Sequence, residues 1–428
     1  MSSISKIVQS HRPDLSPYIS LYKHLHAYPE LSHQEKETAA TAHSRLSKLH
    51  DFTLYPDIGG HGLAAVLENG AGPTVLLRAD MDGLPVEEQT GLPYASTARV
   101  VDEADGVEKP VMHACGHDMH VTSLLAAAEL LYSAKAEWGG TLVLVFQPAE
   151  EKGAGAQRMV DDGLYERVPV PDVVLGGHVM PYRSEGTIGT KRGLMASAAD
   201  SMAVTLHGRG GHASQPHRTV DPIVMAASTI LRLQTIVSRE LDASTPTVLT
   251  VYSIHAGDAE NIIPASATLK LNLRTLDASL RTQALSAIKR ILAAEARASD
   301  APAPPTITPT STFPFTVNDA AATATHEAAF GAHFEPGEHG YSADAPRLSG
   351  SEDFGVLASA VLRPSSFWIY GGTDPAVWDD AERKGCVRED VPINHSAWYA
   401  PAVMPTLRVA VDAYAVAALA WLAKGEGK

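Results

Sequence analysis

Thr141-Leu142-Val143-Leu144-Val145-Phe146 runs without a break into Gln147-Pro148-Ala149-Glu150-Glu151. The apolar run is short, partly β-branched and closed by a proline, so it reads as a strand buried on both faces. Similar runs occur at Leu63 to Leu67, Thr74 to Leu77 and Asp172 to Leu175. Helical patterns lie around them, at Pro17 to Ala27, after Ser32 and at Val121 to Lys135; Ser32 and Glu35 have capping-box spacing. This alternation predicts an α/β fold, with a three-layer catalytic domain around a mixed, mostly parallel sheet. Function is then expected where loops converge at the carboxyl ends of the strands.

From Ala199 the pattern changes. Strands are expected at Met202 to His207, Thr247 to Ile254 and Ala267 to Arg274, with helices at Asp221 to Arg239 and Leu280 to Ala296. These make a compact α+β module. The Pro- and Thr-rich stretch Ala301 to Pro314 reads as a linker. After it come a helix near Asp319 to Phe330, a strand near Ser366 to Tyr370 and an apolar helix, Val409 to Ala423, with Pro405 near its start. The expected organisation is a catalytic domain in two parts, 1–198 and 311–428, interrupted by an inserted α+β lid domain of the dimerisation type at 199–310. Its exposed sheet edge could pair two subunits into a homodimer.

The densest chemistry is His113-Ala114-Cys115-Gly116-His117-Asp118-Met119-His120, just before a predicted helix. Thiolate and imidazole suit zinc and other late first-row divalent ions. Gly116 permits a tight turn that directs Cys115 and His117 towards one point. A buried structural cysteine and a histidine-activated cysteine nucleophile are the alternatives. Glu150 and Glu151 repel one another, and a pair of cations would offset them; one could ligate while the other acts as general base. Gly176-Gly177-His178 is expected to follow a strand, and Asn394-His395-Ser396 falls in a loop before the last helix. In Arg78-Ala79-Asp80-Met81-Asp82-Gly83-Leu84-Pro85, Asp82 could orient a ligating histidine from behind. Gly211-His212-Ala213-Ser214, Asn261-Ile262-Ile263-Pro264 and Leu273-Arg274-Thr275 belong to the inserted module, and an arginine there suits a substrate carboxylate.

Composition narrows the classes. The 428 residues carry a formal net charge of −15 with no basic run, which argues against a nucleic-acid partner. Two cysteines cannot form a disulfide framework and suit a reducing compartment. Met1 to Asp14 lacks a secretory pattern, Gly425-Glu426-Gly427-Lys428 matches neither common retention tail, and the Val409 to Ala423 stretch contains Asp412 and is too short for a bilayer span. A cytoplasmic protein without a membrane partner is the expectation.

Together with Ser351-Glu352-Asp353-Phe354, these motifs resemble the aminoacylase and carboxypeptidase family of dinuclear metallopeptidases, clan MH. More narrowly they resemble the amidohydrolase branch of indole-acetyl-amino-acid hydrolases, hippurate hydrolases and N-acyl-amino-acid carboxypeptidases. The resemblance spans nearly the whole chain. It implies that Cys115, His117, Glu151, His178 and His395 bind two divalent ions with Cys115 shared between them, zinc or manganese first and cobalt or nickel next. It makes Glu150 the general base and proton shuttle, His212 an oxyanion donor, and Asn261 and Arg274 holders of the substrate carboxylate. The implied reaction is hydrolysis of a small amide such as an N-acyl amino acid. The alternatives are amide formation in a biosynthetic pathway and a metal-binding descendant without activity. Two departures from the family pattern stand out: Ala397 where proline is common, and Gly177 where leucine is common.

Overall fold

The computed structural model describes residues 2–335 and 340–424, and the tail Gly425-Glu426-Gly427-Lys428 lies outside them. The chain divides into two compact units, 1–195 with 316–347 and 353–428, and 196–315 with 348–352. No helix among the described residues is long and apolar enough to cross a membrane.

The first unit is built on an eight-stranded sheet. Its strands, numbered along the chain, are β1 (Thr53–Ile58), β2 (Gly62–Asn69), β3 (Thr74–Asp80), β4 (Gly140–Gln147), β5 (Val173–Ser184), β6 (Ile188–Gly189), β7 (Tyr341–Ser342) and β8 (Ser365–Thr373). The spatial order is β1-β2-β4-β3-β5-β8-β6-β7. The sheet is mixed: its centre, β4-β3-β5-β8, is parallel, while β1 and β2 run antiparallel at one side and β6 opposes β8 at the other. Along β3, Val75, Leu77 and Ala79 join the large apolar core, whereas the alternating Leu76, Arg78 and Asp80 are just as fully buried on the opposite face. A strand covered on both faces explains why these segments read as continuous apolar runs. Helices His117–Ser133 and Thr406–Leu422 pack on each other within that core, and alanines at 126–128, 410, 413, 415, 417 and 418 let them approach closely.

The second unit is a four-stranded antiparallel sheet in the order Thr247–His255, Ser266–Thr275, Ala198–His207, Thr306–Phe313. Its strands alternate buried and exposed positions, and Met202, Val204, Leu206, Leu269, Leu271 and Leu273 face helices Pro222–Thr235 and Ala278–Ala298. Both helices start at an aspartate that accepts backbone N–H groups, Asp221 from Ile223 and Asp277 from Ser279 and Leu280.

Three sequence expectations are corrected. Ala301 to Pro314 is not a linker, because Thr306–Phe313 forms the outer strand of the second sheet. Pro309 is tolerated there since an edge strand has fewer bonds to lose, and a bulge beside it absorbs the irregularity. Ser32 and Glu35 form no capping box: the Glu37 and Thr38 N–H groups at the start of helix Lys36–Leu46 bond the Glu30 carboxylate instead, and the Ser32 and Glu35 side chains bond elsewhere. His178 does not follow a strand but sits inside β5. The glycines before it belong to the strand because there is no room for side chains. A Cβ on Gly176 would come 2.9 Å from the Phe354 ring, and one on Gly177 would come 2.2 Å from the Trp368 indole.

Candidate metal centre

Parallel registry brings the chemistry to one end of the central sheet. Asp80 pairs with Gln147, so β3 and β4 leave the sheet side by side into Asp82 and Glu150-Glu151, while β5 carries His178. Gly116, in the left-handed region at φ 86°, turns the chain into the helix that begins at His117; a side chain there would strike Val179 at 2.4 Å.

Among the described residues five groups of three donors lie close enough to hold an ion, Glu150 grouping with His117 and Glu151 in one of them, and two of the five share Cys115. Ligand-capable atoms of Cys115, His117 and His178 lie within 4.8 Å of one another, as do those of Cys115, Glu151 and His395. Cys115 belongs to both. His178 Nε2 is 3.5 Å from the Cys115 sulfur, and His395 Nε2 is 3.4 Å from Glu151 Oε1. Glu150 Oε2 and Glu151 Oε1 each lie 3.9 Å from His117 Nε2. His117 Nε2 and Glu151 Oε1 are buried with no hydrogen bond, a costly state for groups that an ion would satisfy. This donor set of thiol, imidazoles and carboxylate fits two divalent ions that share the sulfur.

Surrounding groups aim the donors. His178 Nδ1 donates to the Val179 carbonyl at 2.7 Å, leaving Nε2 to face Cys115. Asp82 accepts the Glu150 and Glu151 N–H groups at 3.1 and 3.0 Å and the Ser32 hydroxyl at 2.6 Å, and lies 3.3 Å from His117 Nδ1. Burial opposes charge on Asp82, but His117, Ser32 and the Glu151 N–H outweigh it and hold its carboxyl below the ordinary range. Burial also opposes charge on His117, yet Asp80, Asp82 and the Cys115 thiol outweigh it and push the imidazole well above its usual value. His395 adopts φ 69° and Ala149 φ 51°, conformations that cost a non-glycine residue about 1–3 kcal/mol each. They are held by hydrogen bonds, His395 N–H to the Ala114 carbonyl at 2.8 Å and Ala149 N–H to Glu35 at 2.7 Å. Asn394 adds a donor to the Cys115 carbonyl at 3.3 Å.

The remaining polar residues of the 113–120 motif serve other purposes. His120 donates from Nδ1 to Asp80 at 2.5 Å and accepts the Val179 N–H at Nε2, so neither nitrogen is open. Asp118 accepts from His26 at 2.7 Å, and the other His26 nitrogen meets Glu88 at 3.0 Å; despite burial these two carboxylates raise the imidazole to about 10. His113 is fully buried with neither ring nitrogen hydrogen-bonded, and burial lowers it to about 4.

Behind the donors, Arg78 is buried in a network: it donates to Gln147 at 2.9 Å, to Asp80 at 2.7 Å and to Asp353 at 3.3 Å, while Gln147 and the Ala156 N–H also bond Asp353. Replacing Arg78 with Met leaves two buried carboxylates without their cation. The expected loss is about 3–5 kcal/mol of unfolding free energy in urea, and a loss below about 1 kcal/mol would show the network to be dispensable.

His212, Asn261 and Arg274 belong to the second unit. Gly211–His212 pairs with Ile262–Ile263, and the Asn261 carbonyl accepts from Ala213 at 3.0 Å. His212 Nδ1 accepts the Ser214 N–H at 3.1 Å, so its proton sits on Nε2. Arg274 reaches the Ser349 carbonyl and the Ser351 hydroxyl at 3.3 and 3.4 Å. Sequence reasoning missed Glu35 and Asn394 as supports. Asn394 had a signal in its position next to His395, whereas Glu35 was masked by its capping-box spacing.

The family model for Peptidase family M20/M25/M40 matches residues 76–385. The N-acetyl-L-cysteine deacetylase of Bacillus subtilis is 41% identical over 266 residues, which is 62% of this chain and 61% of that protein, so the match leaves more than a third of the relative unaligned. The hippurate hydrolase of Campylobacter jejuni is 41% identical over 64% of this chain and 69% of its own length. Among solved structures, the Bacillus subtilis YXEP protein, described as a dinuclear metal binding peptidase from the M20 family, superposes with a TM-score of 0.72 at 25% identity, covering 96% of this chain and 98% of that one. The chain therefore belongs to peptidase family M20/M25/M40.

Proposed function

We propose that the protein hydrolyses the amide bond of N-acyl amino acids or related small amides, with two divalent ions held by Cys115, His117, Glu151, His178 and His395. The observation that carries this reading is the pair of donor groups meeting at one sulfur, with the carboxyl of Glu150 close to His117 and Glu151 beside them. The names of the two relatives, a deacetylase and a hippurate hydrolase, support the same bond type.

Ions bound there would supply Lewis acidity and make a water far more acidic than its bulk pKa of about 15.7. The rest falls to the chain. Glu150, whose backbone is fixed through Asp82, takes the proton of the attacking water and returns it to the leaving nitrogen. Asp82 keeps His117 oriented, and the Val179 carbonyl does the same for His178. The proposal includes His212 as a donor to the developing oxyanion through its Nε2–H, and Asn261 and Arg274 as groups for a substrate carboxylate. Zinc and manganese are the favoured ions, because the donors mix soft sulfur with imidazole and carboxylate.

A rival assigns Cys115 as a nucleophile paired with His178, and their 3.5 Å contact favours it. The two readings separate on one experiment. Chelation of the purified protein should abolish hydrolysis of a panel of N-acyl amino acids, and zinc(II) or manganese(II) should restore it. Activity that survives chelation but disappears with iodoacetamide would give the reaction to the cysteine instead.

A further inference from the structure

We propose that Glu35 is a positioning residue for this centre: with Asp82 it fixes the turn that presents Glu150 and Glu151, by capturing three successive backbone N–H groups. Ala149 N–H donates to Glu35 Oε1 at 2.7 Å, Glu150 N–H to Asp82 Oδ1 at 3.1 Å and Glu151 N–H to Asp82 Oδ2 at 3.0 Å. The first of these bonds holds Ala149 in the left-handed conformation that reverses the chain before the two glutamates. Without it, relaxation of that residue would swing both carboxylates.

Glu35 is an unusual choice for mere structure. It stands at the N-terminus of helix Lys36–Leu46 but makes no cap, because the Glu37 and Thr38 N–H groups are already taken by the Glu30 carboxylate. Its side chain is fully buried instead, a costly placement for a carboxyl group, and reaches across 114 residues of sequence to the turn. The segment around it braces the partner carboxylate as well: Ser32 donates to Asp82 at 2.6 Å, and the Glu30 carbonyl accepts the Gly83 N–H at 2.7 Å. Residues 30–35 thus act as a brace under both halves of the turn.

Glu35 Oε1 accepts both its bonds, from Ala149 and from His33 at 2.9 Å, while Oε2 makes no hydrogen bond. A glutamine can supply the same acceptor oxygen; alanine cannot, and aspartate falls one methylene short. The connection to metal rests on the function proposed above, so the test has one arm that needs no metal. In metal-free protein, hydrogen exchange at the amides of 149–151 is expected to accelerate about tenfold or more in Glu35→Ala and to stay near the parent rate in Glu35→Gln. Titration with zinc(II) should show one of two binding steps, the one that uses Glu151, weakened roughly 10–100-fold in Glu35→Ala, with the other little changed and Glu35→Gln restored. If Glu35→Ala does not fold, Glu35→Asp carries the same measurements. A folded Ala or Asp variant with parental exchange at 149–151 overturns the proposal. A parent protein that binds no zinc overturns the metal reading instead, and the exchange arm still decides on Glu35.

Discussion

Glu150→Gln is expected to keep both ions and lose hydrolysis by about 10²–10⁴-fold, the usual worth of a positioned general acid–base group. The substitution preserves shape, and the backbone N–H of residue 150 still reaches Asp82, so the turn has no reason to move. The proposed ligands all lie outside the substitution: Glu151 stands next to it, and Cys115, His117, His178 and His395 come from other segments. Metal content by elemental analysis should therefore match the parent, and KM should change far less than kcat. Turnover within a few-fold of the parent would remove Glu150 from its role. Loss of an ion in this variant would make Glu150 a ligand rather than a base.

Cys115→Ala should have a different signature. The sulfur is common to both donor groups, so its removal leaves two histidines on one side and a glutamate with a histidine on the other. Even supporting residues behind a metal ligand are worth roughly 10–100-fold in affinity, and losing a shared ligand should weaken both binding steps by more than that. His178→Ala and His395→Ala provide the internal control, since each belongs to a single group and should weaken one step only. Calorimetric titration with zinc(II) reads all three variants. If Cys115→Ala weakens one step alone, the sulfur is not shared.

Much of the candidate site is visible in the amino-acid order because residue types able to ligate a metal are chemically rare. Cys115 and His117 announce themselves by residue type and a glycine between them, and Glu151 by its place at the end of an apolar run. The strands of the central sheet are legible for a related reason: burial on both faces leaves apolar residues in unbroken rows, as in Leu142-Val143-Leu144-Val145-Phe146. Supports are harder to see, because a support is defined by its partner. Glu35 and Ala149 are distant in sequence, and the local rule that links Ser32 to Glu35 is satisfied on paper while both side chains bond elsewhere. The outer strand Thr306–Phe313 was hidden by prolines and threonines that an edge position accepts. The helices Pro375–Lys384 and Val387–Asp390, between β8 and His395, were missed since both are short and largely exposed. In sequence His178 reads as lying past the strand because two glycines look like a break, whereas it sits within it.

That pair of glycines also has a bearing on how the sequence can change. Trp368 already fills the room beside position 177, so a bulkier residue at 177 and the indole exclude each other. Variation at the two sites is then epistatic: a single enlargement is penalised, while the same enlargement joined to a smaller residue at 368 trades one volume for another. Scans that alter one codon at a time would score 177 as immutable, when the heritable unit is the pair.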